Sequence, residues 1–185
     1  MKLFSLNLCI YVAIATYICS FFIAFYVGKY KSQVDDEIYY YIETKSIDFD
    51  DDVSFSSSSF ERFKQIFINN EKVVIYNYFG ALSFGFSSLA SLAFNGSTFG
   101  NYIGYYSNHI STPIILRYTL PHSFELIAII LSGGEGIYLG IYLLLCLIGR
   151  KELKNIDGKL YIHFILCTFI ILLAAFVEAY ITMLL

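Results

Sequence analysis

The chain has 185 residues, of which 57% are hydrophobic, 19% are aromatic and only 15% are charged. An average soluble domain is about one quarter charged. The 12 basic and 15 acidic residues are concentrated in residues 29–72 and 149–159, and elsewhere the chain carries only Lys2, Arg117, Glu125, Glu135 and Glu178. Long stretches almost free of charge indicate a multispanning membrane protein and exclude a soluble enzyme, a nucleic-acid-binding protein and a disordered chain.

The sequence contains five stretches that we interpret as membrane spans. In chain order they are Leu3–Gly28, Val73–Phe94, Asn95–Leu116, Leu120–Ile148 and Leu160–Leu185. The first is too long and lacks the small-residue cleavage pattern of a removable signal peptide, so we expect an uncleaved signal anchor. The third is the most polar, and a re-entrant hairpin buried in protein is the alternative to a crossing. A Gly133-Gly134 pair in the fourth is expected to kink or break that helix.

A polar segment, residues 29–72, separates the first two spans. Its first part, through Ser57, is acidic and rich in serine, which is typical of a solvated loop. Ser58 and Glu61 then match a helix-starting capping box. Phe60, Phe63, Ile66 and Phe67 follow at helical spacing. This pattern predicts a short amphipathic helix that lies on the membrane surface or packs against its own protein.

Charge placement predicts the orientation of the chain. The short loop 149–159 is net basic and is expected in the cytoplasm, as is the Lys2 end, whereas the long acidic segment 29–72 is expected outside. An odd number of crossings must then separate the two loops, which favours five spans with the N-terminus inside and the C-terminus outside. The predicted organisation is a signal-anchor helix (1–28), an extracytoplasmic segment (29–72) and a membrane helical core (73–185), an all-α polytopic fold.

Three acidic residues lie at predicted membrane depth, where a charge usually faces the protein interior and has a partner. Glu125 follows Pro121 and His122 at a helix start, where it is expected either to form a polar site with His122 or to act as a structural cap. Glu135 lies among glycines, which allow a local helix break or close packing around a buried carboxyl. Glu178 lies near the end of the last span.

Neutral polar residues and glycines complete the candidate set. Asn77 and Asn95 are the expected partners of the acids in a network with His122, Glu125, Glu135 and Glu178. The expected helix-packing positions recur every four residues and are Gly96, Gly100 and Gly104, with Gly136 and Gly140 further along the chain. The four cysteines lie in apolar runs without metal or redox spacing, and no motif of a catalytic centre, metal site or cofactor is present. We therefore predict a protein that is not an enzyme.

Three motifs in order resemble the stage II sporulation protein M family of integral membrane proteins. They are Asn95-Gly96 with Gly100, then Leu120-Pro121-His122-Ser123-x-Glu125-Leu126 before a glycine cluster, and Ala174-Ala175-x-x-Glu178. The resemblance covers about residues 60–185, and Ser123 stands where the family usually has glycine. It implies a multispanning protein of the bacterial cytoplasmic membrane without a known catalytic centre. In the sporulation branch the family member works with peptidoglycan-degrading partners in the engulfment complex, and other relatives accompany bacteriocin production and immunity genes.

Two functions are consistent with these features. The first is a scaffold or subunit of a membrane complex. The alternative is a permease-like or ion-translocating subunit of a transporter, such as one for bacteriocin export or immunity. Any ATP-driven role would need a separate ATPase, because the chain has no Walker motif. The expected partners are the lipid bilayer and other membrane proteins, with a second copy of the chain as a further candidate and no nucleic acid.

Overall fold

The computed structural model describes residues 5–43, 59–119, 122–153, 158 and 160–181. Within this part of the chain all regular structure is helical, as the sequence predicts. The helices are α1 (Leu6–Glu43), α2 (Ser59–Phe79), α3 (Phe86–Tyr106), α4 (Thr112–Thr119), α5 (His122–Leu147) and α6 (Leu160–Phe176). A 3₁₀ turn, Gly80–Ser83, follows α2, and a π-helical turn, Val177–Ile181, continues α6.

Three described segments are long and apolar enough to cross a membrane: Leu6–Gln33, Ser123–Leu147 and Leu160–Tyr180. They correspond to the first, fourth and fifth predicted spans. The remaining long helices, α2 and α3, contain too many polar residues to reach the mean hydropathy of a membrane-spanning segment. The five-span topology and its orientation therefore stay predictions.

Helix α5 occupies the centre of the bundle, because it contributes to two separate apolar clusters. Ile129 and Ile137 pack with Leu92 of α3 and with Cys9 and Ala13 of α1. On another side of α5, Ala128 belongs to a cluster with residues of α2 and α6, namely Val74, Cys167 and Ile171. Every other long helix therefore packs against α5.

The long helices alternate in direction along the chain. Helices α1 and α3 are parallel, since Gly96 meets Tyr17 and Gly104 meets Phe25. Helix α6 is antiparallel to α2, because Phe63 contacts Tyr180 while Tyr78 contacts Phe164. Helix α5 is parallel to α2, because Val74 shares a cluster with Ala128 and Tyr78 bonds to Glu135. It is antiparallel to α3, because Leu92 lies against Gly133 and Gly85 lies against Gly140.

The predicted span Val73–Phe94 is wrong as a single helix. The chain turns after the 3₁₀ segment, where Gly85 N–H donates to the Gly80 carbonyl at 2.8 Å and Phe84 N–H donates to the Ala81 carbonyl at 3.1 Å. This is the Schellman pattern that ends helices, with Phe84 at φ 57° in the left-handed position usually taken by glycine. Asn95–Leu116 is likewise the second half of α3, a turn and the start of α4.

Two further expectations differ from the structure. Helix α5 runs unbroken through Gly133 and Gly134, because the Leu92 side chain fills the space beside Gly133 and the main chain of Ile10 lies against Gly134. Helix α1 continues to Glu43, so residues 29–43 are not a loop, and the acidic run at 48–52 lies outside the described residues.

The predicted amphipathic helix is the first half of α2. Its Phe63 ring contacts Tyr180 in the π-helical turn, and Phe67 packs against the cluster shared by α2, α5 and α6. In the structure this helix therefore packs against its own protein, which is the second of the two interpretations.

Helices α1 and α3 approach at backbone distance. A Cβ atom at Gly100 would overlap the carbonyl oxygen of Phe21, and one at Gly104 would overlap that of Phe25. Beyond these contacts, Asn108 donates to the Lys29 carbonyl at 3.1 Å, and Ser32 Oγ lies 2.8 Å from His109 Nε2. The small face of α3 thus sets the α1–α3 separation, and polar side chains fix the register at one end.

We predict that Gly100→Ala lowers the free energy of unfolding by about 1–3 kcal/mol, the usual cost of overpacking a close contact. The added methyl group would collide with main-chain atoms of Phe21, which cannot rotate away as a side-chain end can. Gly100→Leu should be more damaging. Thermal unfolding in detergent and the amount of protein in membranes measure the effect.

Thr98→Ala is the matched control, because Thr98 is exposed on the same helix. Equal stability of Gly100→Ala, Thr98→Ala and the parent chain would contradict the close α1–α3 contact.

Candidate functional site

The candidate site is the carboxyl group of Glu135, at the middle of the apolar segment Ser123–Leu147. Its side chain is only 1% exposed. The Tyr78 hydroxyl of α2 donates to Oε2, and Nδ1 of His163 on α6 lies 2.6 Å from Oε1. One carboxyl group therefore joins three helices, and each of its oxygens has a partner.

The partners of Glu135 differ from those predicted. The sequence favours the neutral residues Asn77 and Asn95, whereas the structure supplies a phenol and an imidazole. His163 is the lone histidine of the apolar helix α6, which is the sequence signal that could have indicated this contact. Tyr78 carries no comparable signal among the 17 tyrosines of the chain.

Asn77 lies beside this site and is fully buried. Its Nδ2 donates to Ser132 Oγ at 2.9 Å and to the Ile129 carbonyl at 3.1 Å. The main-chain carbonyl oxygen of Asn77 accepts from Ser88 Oγ at 2.7 Å, which links α2 to α3. Asn77 therefore connects α2 to both α5 and α3 through polar contacts. These contacts lie next to Glu135, and Asn77 does not bond to its carboxyl group.

The space around Glu135 is closely packed. A Cβ atom at Gly133 would come within 2.7 Å of Leu92 of α3, and one at Gly134 would come within 2.9 Å of Ile10 of α1. Gly136 lies against the Asn77 carbonyl of α2, and Gly140 lies against Gly85 in the turn before α3. The glycines of α5 thus bring the main chains of α1, α2 and the turn before α3 close to α5, and the side chain of Leu92 fills the space on the α3 side.

Other predicted site residues do not meet at this carboxyl group. Glu125 is buried in the first turn of α5, about 15 Å from Glu135 by helical rise, and Glu178 lies partly buried in the π-helical turn. Asn95 donates within its own helix to the Ser91 carbonyl at 2.8 Å. Pro121 and the His122 side chain lie outside the described residues, so the proposed His122–Glu125 pair stays a prediction.

The structure adds an acid that the sequence analysis had assigned to the extracytoplasmic segment. Glu71 of α2 accepts a hydrogen bond from Thr168 of α6 at 2.9 Å. Its second oxygen is buried and has no hydrogen-bond partner among the described residues. A second polar contact thus joins α2 to α6, nearly two helical turns before Tyr78 in α2.

Two grooves lie on the surface of α3. One, of about 570 Å³, runs between α2 and α3 and includes Lys72, Tyr76 and Asn95 in its lining. The other, of about 700 Å³, runs between α1 and α3 and includes Lys31 and Tyr105. Neither groove is lined by Glu125 or Glu135. No group of three or more metal-binding side chains occurs in the described ranges.

These features define a polytopic all-α membrane protein with a buried polar junction between helices. A model of the Stage II sporulation protein M family matches residues 13–183, and the chain belongs to that family. An uncharacterised protein of Methanocaldococcus jannaschii is 35% identical over 125 residues, which is 65% of this chain and 70% of that protein. No solved structure matches.

We predict that Glu135 and His163 are energetically coupled. Breaking a buried hydrogen-bonded pair from one side strands the other group. Glu135→Gln and His163→Gln should each lower stability, and the double variant should lose less than the sum, with a coupling energy of about 0.5–3 kcal/mol. Thermal unfolding of the three variants in detergent provides the cycle.

Glu152→Gln serves as the control, because Glu152 is exposed in the turn after α5. Additive losses for Glu135→Gln and His163→Gln would show that the two side chains act independently.

Proposed function

We propose that this chain is a non-enzymatic subunit of a membrane complex, whose helices hold other membrane proteins together. The close packing around Glu135 carries the proposal. Main-chain atoms of α1 and α2 and side-chain atoms of α3 lie directly against the glycines of α5, which leaves no room for a substrate beside them. A carboxyl group in such a place stabilises the arrangement of α2, α5 and α6.

The outer faces of the helices support a role in assembly. Large apolar side chains are exposed along α1, including Tyr11, Phe22 and Ile23, and along α6, including Ile165 and Phe169. Lipid covers such faces in a membrane, and partner helices can replace it. Two long helices at opposite ends of the chain thus offer contact surfaces, while the middle of α5, residues 132–137, is buried.

The alternating helix directions support the proposed topology. Parallel α1 and α3 require the intervening α2 to return across the bundle. If α2 and α3 both cross, the five long helices place the two ends of the chain on opposite faces. The basic loop after α5 would then lie in the cytoplasm, with the N-terminus on the same side and the C-terminus outside. The bacterial cytoplasmic membrane remains the location implied by the family resemblance.

The alternative is an ion- or substrate-translocating subunit. It is favoured by the contact of His163 with Glu135, because an imidazole beside a carboxyl group can exchange a proton with it. The His163 side chain is 38% exposed, whereas Glu135 is enclosed. A proton route through this pair would need a second exit from Glu135, and the two described grooves do not supply one.

The scaffold proposal predicts a complex of fixed composition. Gentle solubilisation from the native membrane, followed by mass determination, should give the chain together with at least one other membrane protein in constant ratio. Recovery of the chain alone, or only with copies of itself, would contradict the proposal.

Reconstitution of the complex into liposomes distinguishes a scaffold from a translocating subunit. Liposomes that contain the purified complex should keep an imposed pH gradient as long as protein-free liposomes do, with or without ATP. A faster decay that Glu135→Gln abolishes and the control Glu152→Gln retains would favour translocation over a scaffold.

A further inference from the structure

We propose that the groove between α1 and α3 binds one chain of an anionic phospholipid, with the phosphate at Lys31. The groove has a volume of about 700 Å³ and lies between the two parallel helices. Its lining changes in character from one end to the other, as an amphiphilic ligand requires.

The polar end of the groove is marked by one cation and two tyrosines. Lys31 lies at this end on α1, and Tyr105 and Tyr106 lie at this end on α3. The described lining residues include no acid, and within the described part of the chain Lys31 forms no ion pair. An ammonium group on a lining without acids attracts a phosphate.

Exposed tyrosines place this end at the membrane–water boundary. Tyr26 and Tyr30 of α1 are each 69% exposed, and Tyr102 of α3 is 54% exposed. Exposed aromatic rings with a polar tip collect at the headgroup level of a bilayer. Lys31 therefore lies at the depth of lipid phosphates.

Away from Lys31 the groove is lined mainly by apolar side chains. Ile23 lies about two helical turns before Lys31 on α1, Phe94 lines the far end on α3, and both are more than half exposed, although Ser97 and Thr98 follow Phe94 in the lining. From Phe94 to Tyr106 the groove follows α3 for about 18 Å by helical rise. The hydrocarbon of one leaflet is about 15 Å deep, so the groove matches one acyl chain in one leaflet.

The same length argues against a transmembrane partner helix as the occupant. Such a helix needs a contact face along the full hydrocarbon thickness of about 30 Å, whereas this groove covers about half of it. A partner helix also offers no phosphate for Lys31. The lipid therefore satisfies both the length and the charge of the groove.

Native mass spectrometry of the full chain in detergent tests the proposal with phosphatidylglycerol and phosphatidylcholine of identical acyl chains. The parent chain should bind phosphatidylglycerol about fivefold more tightly, the effect expected of one lysine near an anionic headgroup. Lys31→Gln should abolish this preference. Lys29→Gln is the matched control, because Lys29 is exposed on α1 but does not line the groove, and it should retain the preference.

A second variant tests the groove itself. Thr98 is exposed and lines the groove, so Thr98→Phe should fill it and weaken binding of both lipids without disturbing the core. Equal binding of the two lipids by the parent chain, or equal effects of Lys31→Gln and Lys29→Gln, would overturn the proposal.

Photocrosslinking in membranes identifies the occupant directly. A photoreactive residue at Thr98 should give a lipid adduct. A protein adduct in its place, whether with a second copy of the chain or with another protein, would also overturn the proposal.

Discussion

The close approach of helix backbones at glycine is the constraint on which the rest of this structure depends. Gly100 and Gly104 let α3 lie against the main chain of α1, and Gly134 and Gly136 let α5 contact α1 and α2. Apolar side chains alone give little preference for protein over lipid, so shape and polar contacts must select the neighbours of each helix. Backbone contact between α5 and α2 accompanies the hydrogen bond of Tyr78 to Glu135, and the contact of His163 with the same carboxyl group joins α6 to this pair.

Much of the fold could be predicted from the sequence because the bilayer imposes a strong length and polarity filter. The all-α class and three of the apolar segments follow from this filter, whereas the family assignment was indicated by three ordered motifs and is confirmed by the family match. The α2–α3 turn could not be predicted, because the hydropathy is continuous through it. In addition, Phe84 adopts a left-handed backbone conformation that its residue type does not indicate. The unbroken course of α5 was also missed, since a glycine pair looks the same in sequence whether it bends a helix or admits a neighbour.

The candidate site was predicted only in part. Glu135 stands out in the sequence because a carboxyl group at membrane depth needs a partner. Its partners depend on helix register, which polarity does not reveal. Glu135 is 12 residues from the end of α5, whereas His163 is the fourth residue of α6, so a symmetric hairpin would not bring them together. They meet because residues 150–152 fold back along α5, where the Tyr142 hydroxyl donates to the Glu152 carbonyl at 2.9 Å and Lys151 lies over the Tyr142 ring.

The most direct test of this account is whether α1 and α3 run parallel, because both the glycine contacts and the return of α2 depend on that direction. The experiment uses a chain that lacks its native cysteines and carries a protease site inserted between residues 44 and 58. In one variant cysteines replace Ser32 and His109, and in the other they replace Ser32 and Ser87. A short bismaleimide is applied in membranes before cleavage. The account predicts that the two fragments remain joined for the Ser32–His109 pair and separate for the Ser32–Ser87 pair. Joined fragments for Ser32–Ser87, with none for Ser32–His109, would contradict it.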